Sequence, residues 1–254
     1  MHSASKILAI AVLVVAACGG SSDSPPGPLA KHFDDMYIAA IPLDQKQQVV
    51  QTQNDWSLAK MENAKAEADL NSVNTQIDIG RNDVKAAKLA VDSANAQKKD
   101  ADKSADTNRI NQATKEFHTA DMLRQAAESR VKYYEAYREY LKRQQRFALE
   151  NMYAKEASYE LAKAQLGQKN NIAPKGIVYD QFPKQAEERG KRVGGAKDKA
   201  ESLKRHAMDT RDTWLRLQKD ADAGNGKQST YPDPMAQPPP ATAGGNNPPP
   251  PPQE

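Results

Sequence analysis

The sequence predicts an all-α protein: an elongated antiparallel coiled-coil hairpin with a third packing helix and a disordered proline-rich C-terminal tail. Three observations predict this fold. Apolar residues recur alternately three and four positions apart over most of the chain, which is the spacing of a helical seam. Proline is absent from Leu43 through Ala173. Only 4 Phe and 2 Trp occur among 254 residues, which favours long alanine-rich helices with a narrow seam over a thick core.

The hairpin is predicted for residues 30–167. Its first seam comprises Val49, Thr52, Trp56, Ala59, Asn63, Ala66, Leu70, Val73, Ile77, Gly80, Val84, Ala87, Val91, Ala94, Lys98, Ala101 and Ala105. Its second comprises Phe117, Ala120, Arg124, Ala127, Val131, Tyr134, Arg138, Leu141, Gln145, Ala148, Met152, Lys155, Tyr159, Ala162 and Leu166. The small polar residues of Asp100 to Gln112 predict the turn between two arms of about 80–90 Å each. No proline or glycine forces that turn, so one continuous helix over residues 44–167 that dimerises along its length is the alternative.

The remaining segments follow from the same patterns. Residues 168–183 are predicted to be a connector loop that packs its apolar residues across the base of the hairpin, and Gly167 is expected to end the second arm. Residues 184–223 are predicted to form the third helix. Its seam comprises Val193, Ala196, Ala200, Leu203, Ala207, Thr210, Trp214, Leu217 and Ala221. Residues 224–254 are rich in Gly, Asn, Gln and Pro, which is typical of a disordered tail.

The N-terminus has the three parts of a secretory signal. Lys6 precedes the apolar run from Ile7 to Val15, which is far shorter than the roughly 20 residues needed to span a bilayer. Val15, Ala16 and Ala17 then lead into Cys18, the single cysteine of the chain. This motif resembles the lipobox of bacterial lipoproteins. The resemblance implies that residues 1–17 are removed, that Cys18 carries a diacylglyceryl thioether, and that its new amine is acylated, with palmitate a typical chain. The alternative is an ordinary exported protein with a free thiol at Cys18.

The same resemblance implies a location. Gly19 stands where an aspartate would, in many enteric bacteria, indicate retention in the inner membrane. We therefore expect an anchor in the outer membrane with the protein facing the periplasm, the inner membrane and the cell surface being the alternatives. Residues 18–29 are expected to be a flexible tether, because they are rich in Gly, Ser and Pro. Membrane lipid is the first expected partner.

The sequence offers little catalytic chemistry. His32, His118 and His206 are far apart and lack the spacing of a metal pair. The net charge of +3 comes from 36 basic and 33 acidic residues, and their mixture is typical of solvated helix faces rather than a nucleic-acid-binding surface. We expect no enzyme activity, no metal or other cofactor, no nucleic acid and no small-molecule substrate.

One strip of side chains is a candidate interaction surface. It consists of Arg130, Tyr133, Tyr134, Tyr137 and Arg138. A basic aromatic strip would suit anionic lipid or another protein. The competing interpretation is that the tyrosines widen the helical seam while basic stems cover it.

These features predict a lipid-anchored envelope lipoprotein that acts as a non-catalytic coiled-coil spacer, scaffold or interaction module. Its coiled coil is expected to bind a protein partner or a second copy. Two alternatives stay open: an accessory of an envelope transport or efflux complex, and an elongated helical protein that remodels membranes.

Overall fold

The computed structural model describes residues 24–236, and over that range the protein is all-helical. Three long α-helices follow one another: α1 is Gln47–Asp102, α2 is Thr107–Lys169 and α3 is Gln181–Asn225. Two short 3-10 helices, Asp35–Ile38 and Leu43–Lys46, precede α1. The predicted class of fold is therefore confirmed.

Helices α1 and α2 form the antiparallel hairpin within one chain. Ion pairs join Lys88 to Glu128 and Arg81 to Glu135, and the partner's number falls as the residue number on α1 rises, as an antiparallel pair requires. Gly80 lies on the seam, where an added Cβ would sit 3.0 Å from Val131 Cγ2, so it permits close approach of the two helices. The continuous helix over residues 44–167 is therefore not the fold.

The turn at the tip lies where small polar residues predicted it. Four residues, 103–106, separate α1 from α2. Ala105 adopts a positive φ of 56°, and Asp106 caps α2 by accepting hydrogen bonds from the backbone N–H groups of Asn108 and Arg109 at 2.9 and 3.3 Å. A carboxylate at this position satisfies amides that have no partner inside the helix.

Helix α2 is the central helix. It packs against α1 along one side and α3 along the other, so more of its residues are buried than on either neighbour. Helix α3 also runs antiparallel to α2, and it ends with Gly224 beside Met122. Of the helices described for residues 24–236, only α1 and α2 form the stretch of the hairpin between that point and the turn; we call it the distal part of the rod.

Large side chains collect in two clusters. The base cluster, at the end opposite the turn, contains Phe33, Ile38, Ile41, Val49, Tyr159, Ala162, Ala164, Leu166 and Phe182. The middle cluster contains Val73, Ile77, Tyr133, Tyr134, Leu141 and Trp214. Between and beyond them the seams are mainly alanine, of which Ala94, Ala101, Ala126, Ala148 and Ala207 are buried.

Several predicted boundaries move. Helix α2 continues through Gly167 to Lys169, because the left-handed residue that follows the helix end is Asn171, with a φ of 55°. Gly167 instead makes room for the Phe33 ring. The connector is thus residues 170–180, and α3 extends beyond residues 184–223 at both ends. Ile172, Ile177 and Tyr179 of the connector pack on the base cluster as expected, whereas Val178 is exposed.

Candidate functional site

The residues of the expected lipobox, Val15, Ala16, Ala17 and Cys18, lie outside the described residues. The described chain begins at Ser24, six residues after the cysteine. The geometry that bears on the anchor is therefore the path of residues 24–34, which we call the N-terminal segment.

The N-terminal segment is fixed to α2 and α3 by hydrogen bonds rather than free. Arg146 donates to the carbonyl oxygen of Ser24, and Arg189 donates to those of Gly27 and Pro28 at 2.9 and 3.2 Å. The Gln185 side chain bonds both the N–H and the carbonyl of Lys31, at 3.0 and 2.9 Å.

Apolar contacts add to these bonds. Pro26, Leu29 and Phe33 are buried. The expectation that residues 18–29 form a flexible tether is therefore wrong for residues 24–29, because the helices offer donors matched to this segment's carbonyl groups.

A charge cluster of buried Glu160, buried Lys163 and exposed Asp35 holds the end of the N-terminal segment at the base. Glu160 accepts a 2.6 Å hydrogen bond from the N–H of Phe33 and pairs with Lys163 at 2.9 Å. Lys163 also donates to Asp35 at 2.8 Å. Burial disfavours the charged lysine, but the hydrogen bonds to Asp35 and Glu160 outweigh it and raise the pKa of Lys163. The raised pKa keeps Lys163 charged, and the cluster joins the segment to α2.

The predicted interaction strip is not an open surface. Arg130, Tyr133 and Tyr134 are at most 2% exposed, while Tyr137 and Arg138 are half-buried. Tyr133 stacks on Trp214 of α3 with ring centroids 5.3 Å apart. The strip is buried and not open because α3 and the chain after it cover these side chains. This agrees with the competing interpretation, in which the tyrosines widen the helical seam.

Residues 229–236, which we call the C-terminal clasp, contact three of these side chains. Tyr134 donates to the carbonyl of Pro232 at 2.6 Å, and Tyr133 donates to Asp233 at 2.8 Å. The Tyr231 ring lies over the guanidinium of Arg130, 3.6 Å from its carbon. A disordered tail from residue 224 is therefore wrong for residues 229–236; residues 237–254 lie outside the described part of the chain.

Asp233 is the centre of the clasp. Burial alone would raise its pKa, but the hydrogen bonds from Arg211, Tyr133 and the N–H of Met235 lower it below its usual value. The Arg211 Nε donates to it at 2.7 Å. Burial, followed by the bond to Asp233, raises the pKa of Tyr133, so this tyrosine is a permanent donor. Asp233 of the clasp is thus hydrogen-bonded to both α2 and α3 and joins the three elements.

Beside the clasp, toward the tip, lies an open cleft of about 640 Å³. Alanines of α1 and α2 and Leu123 form its apolar wall, and polar side chains of α2 line it toward the turn. Gln218, Gly224 and Tyr231 lie at the α3 side. Asp83 lies at its edge and forms a 2.5 Å ion pair with Arg130. The cleft exists because α3 ends here and small side chains leave the space unfilled.

The sequence contains one signal for the clasp. Tyr231, Asp233 and Met235 interrupt an otherwise Gly, Asn, Gln and Pro tail. An aromatic ring, a carboxylate and a thioether offer a stacking group, an acceptor and an apolar anchor, which the rest of the tail lacks.

Within residues 24–236 no group of His, Cys, Asp and Glu side chains has the arrangement of a metal site. None of the helices described for that range is both long and apolar enough to span a membrane. His32 lies near Glu160, 3.6 Å from its carboxylate, while His118 and His206 lie on α2 and α3. No family model, curated protein or solved structure matches the chain.

Proposed function

We propose that the protein is a lipid-anchored lipoprotein of the bacterial cell envelope, acting as a non-catalytic coiled-coil scaffold or interaction module. The observation that carries the proposal is the sequence Val15-Ala16-Ala17-Cys18 at the end of a short apolar run. A thiol there can form the thioether to diacylglycerol. Several acyl chains on one cysteine give stable membrane attachment, since each buried methylene contributes about 0.8 kcal/mol.

The position of the folded body supports this arrangement. Contacts with α2 are described from Ser24 onward, and Ser24 is six residues after Cys18 in the sequence. The mature chain would then be a long helical rod joined to lipid by a few residues. Gly19 favours the outer membrane, with the rod in the periplasm.

The scaffold role is supported by how the rod uses its side chains. Its buried arginines, tyrosines and carboxylates bind one another and the two terminal segments. The distal part differs, because α3 does not cover it, and Leu89 of α1, at its edge where α3 ends, is 70% exposed. We place the contact with a helical partner, or with a second copy, on this distal part.

The anchor is tested by comparing the natural chain with Cys18→Ser in a bacterial host. We expect palmitate labelling, membrane fractionation and an N-terminal peptide heavier by the lipid for the natural chain, and none of these for the variant. The matched control is Gly19→Asp, which keeps the thiol and is expected to be lipidated equally but to shift toward the inner membrane. An unmodified Cys18 thiol in the natural chain would refute the lipoprotein proposal.

The scaffold role is tested by placing a photocrosslinking residue at one of two exposed leucines of α1. Leu89 lies at the edge of the distal part, where α3 ends, and Leu58 lies near the base; they are 70% and 54% exposed respectively. We expect a specific crosslinked product from Leu89 and none from Leu58, and its mass distinguishes a second copy from another protein. Equal products from both positions, or none from Leu89, would contradict a distal binding surface.

A further inference from the structure

We propose that the anchored protein lies along the membrane instead of standing on one end, with the face that carries the N-terminal segment toward the lipid. This inference rests on the proposed lipid at Cys18. It comes from the point on the rod at which the N-terminal segment leaves the body, and from the length of chain between that point and the cysteine.

The exit point is far from both ends of the rod. Ser24 is held by Arg146, and Arg146 lies within α2, which runs from Thr107 to Lys169. At 1.5 Å per residue, about 35 Å of helix separates Arg146 from the base end of α2, and about 58 Å separates it from the tip end. The chain therefore leaves the rod from its side.

The chain that remains is too short to reach either end. Six peptide units join Cys18 to Ser24, and in any conformation they span at most about 20 Å. If the rod stood upright on its base, the lipid attachment would have to be about 35 Å below Ser24. If it stood on its tip, the distance would be about 58 Å. Both exceed the reach, so the long axis stays within about 35° of the membrane plane.

The docking that fixes Ser24 is extensive. The carbonyl groups of Gly27, Pro28 and Lys31 all accept hydrogen bonds from α3 side chains. Pro26 and Leu29 are buried between those bonds, and Phe33 is fully buried in the base cluster. Extending the reach would require these contacts to break one after another from Ser24 toward Phe33.

The same geometry determines which face is turned away. Arg130, under the C-terminal clasp, and Arg146, under the N-terminal segment, lie about 160° apart around α2 at 3.6 residues per turn. The two terminal segments thus cover opposite faces of the bundle. With the N-terminal face toward lipid, the clasp and the 640 Å³ cleft beside it face the aqueous side.

The test measures the height of both ends above a bilayer. The full-length lipidated protein is reconstituted into vesicles of phosphatidylethanolamine and phosphatidylglycerol that carry a headgroup acceptor dye. A donor dye is placed on one introduced cysteine, either Lys175→Cys at the base or Lys103→Cys at the tip; both sites are exposed. Because the thioether consumes the thiol of Cys18, the introduced cysteine is the one thiol that reacts.

A rod lying down places both donors close to the acceptors, with heights that differ by less than about 50 Å. A standing rod separates the two heights by about 85–95 Å, and that result would overturn the proposal. A third donor at Ala236→Cys, in the clasp, is expected to lie higher than one at Lys142→Cys, one helical turn before Arg146 and on the face that carries the N-terminal segment. The reverse order of heights would show that the clasp face, and not the face with the N-terminal segment, lies toward the membrane.

A longer tether tests whether the short chain between Cys18 and Ser24 is what keeps the rod along the membrane. Inserting twenty Gly and Ser residues between Gly20 and Ser21 leaves the lipid and the body unchanged but lengthens the reach to more than about 60 Å. We expect the heights of both ends to rise and spread; unchanged heights would show that the short tether is not what holds the rod down. Failure of the anchor itself gives a different result, since an unmodified Cys18 would react with the dye in the chain without any introduced cysteine.

Discussion

The covered and distal parts of α2 show two ways of holding long helices together. From the base to Met122, α2 lies between α1 and α3 and is also contacted by the two terminal segments. Closer to the turn it has α1 as its one long neighbour. The covered part buries large rings such as Tyr133, Trp214 and Phe182, whereas the distal seam buries mainly alanine.

The difference has an energetic consequence. A fully buried aromatic ring contributes several kcal/mol, whereas an alanine methyl contributes about 1. The covered part therefore has most of the tertiary stability, and the distal part depends on helix propensity and a narrow seam. Because α3 does not cover the distal part, its surface is also open to a partner. The predictions below compare the two parts, from the largest expected effect to the smallest.

Two phenylalanine truncations compare the parts directly. Phe182 of α3 is buried in the base cluster and lies edge-to-face with Phe33, at a centroid distance of 6.0 Å. We expect Phe182→Ala to lower the free energy of unfolding by about 3–4 kcal/mol, as a full cavity in a packed core does. Phe117→Ala in the distal part, where the ring is half-buried, should cost about 1–2 kcal/mol. Urea unfolding followed by circular dichroism measures both, and equal losses would show that the parts do not differ.

Overpacking of the base should be the next largest effect. A Cβ added to Gly167 would lie 2.6 Å from Phe33 Cζ and 3.3 Å from the Tyr179 hydroxyl oxygen. Since Phe33 is enclosed on all sides, we expect Gly167→Ala to cost about 1–3 kcal/mol. It should also expose the N-terminal segment to protease before the helices unfold. An unchanged urea midpoint together with an intact segment would contradict this packing.

Acid should release the C-terminal clasp. Because the pKa of Asp233 is lower in the folded protein than its ordinary value of about 3.9, its ionisation stabilises the fold above that pH. The contribution is lost as the pH falls through the lowered folded pKa. We expect Asp233→Asn to cost about 1–2 kcal/mol at neutral pH and much less near pH 2. A dye at Ala236→Cys reports clasp release, with Asp212→Asn, an exposed neighbour of Arg211, as the control. Equal acid sensitivity of the Asp233→Asn variant and the natural chain would show that Asp233 is not what holds the clasp on α2 and α3.

The fold was predictable from sequence because its main signals are local and periodic. The heptad seams and the proline-free stretch predict the helices, and the polar residues near 106 predict the turn. None of these signals requires knowledge of distant contacts. Glycine was misleading: Gly167 suggested a helix end, whereas it makes room for Phe33 from a segment far away in sequence. A helix signal in the sequence does not show what packs against it.

The terminal segments were not predictable for a related reason. Residues 24–29 and 229–236 have compositions typical of loops, and their order comes from donors on other elements, such as Arg189 for Gly27 and Arg211 for Asp233. Hydrogen bonds to backbone carbonyl groups leave no pattern in the accepting segment. Composition alone singles out the tyrosines of the interaction strip, but their exposure to solvent is determined by α3 and the clasp.

Exposed glycines in α3 should show the smallest effect, and with opposite sign. A Cβ added at Gly190 meets no atom within 4 Å, and the position lies inside a long helix. We expect Gly190→Ala to raise the free energy of unfolding by about 0.5–1 kcal/mol, because alanine loses less backbone entropy in a helix. It is the matched partner of Gly167→Ala: the same change in the same kind of helix, with and without a ring against it. Opposite shifts of the urea midpoint would attribute the loss at Gly167 to Phe33, whereas a loss at both positions would show that close packing extends beyond the base cluster.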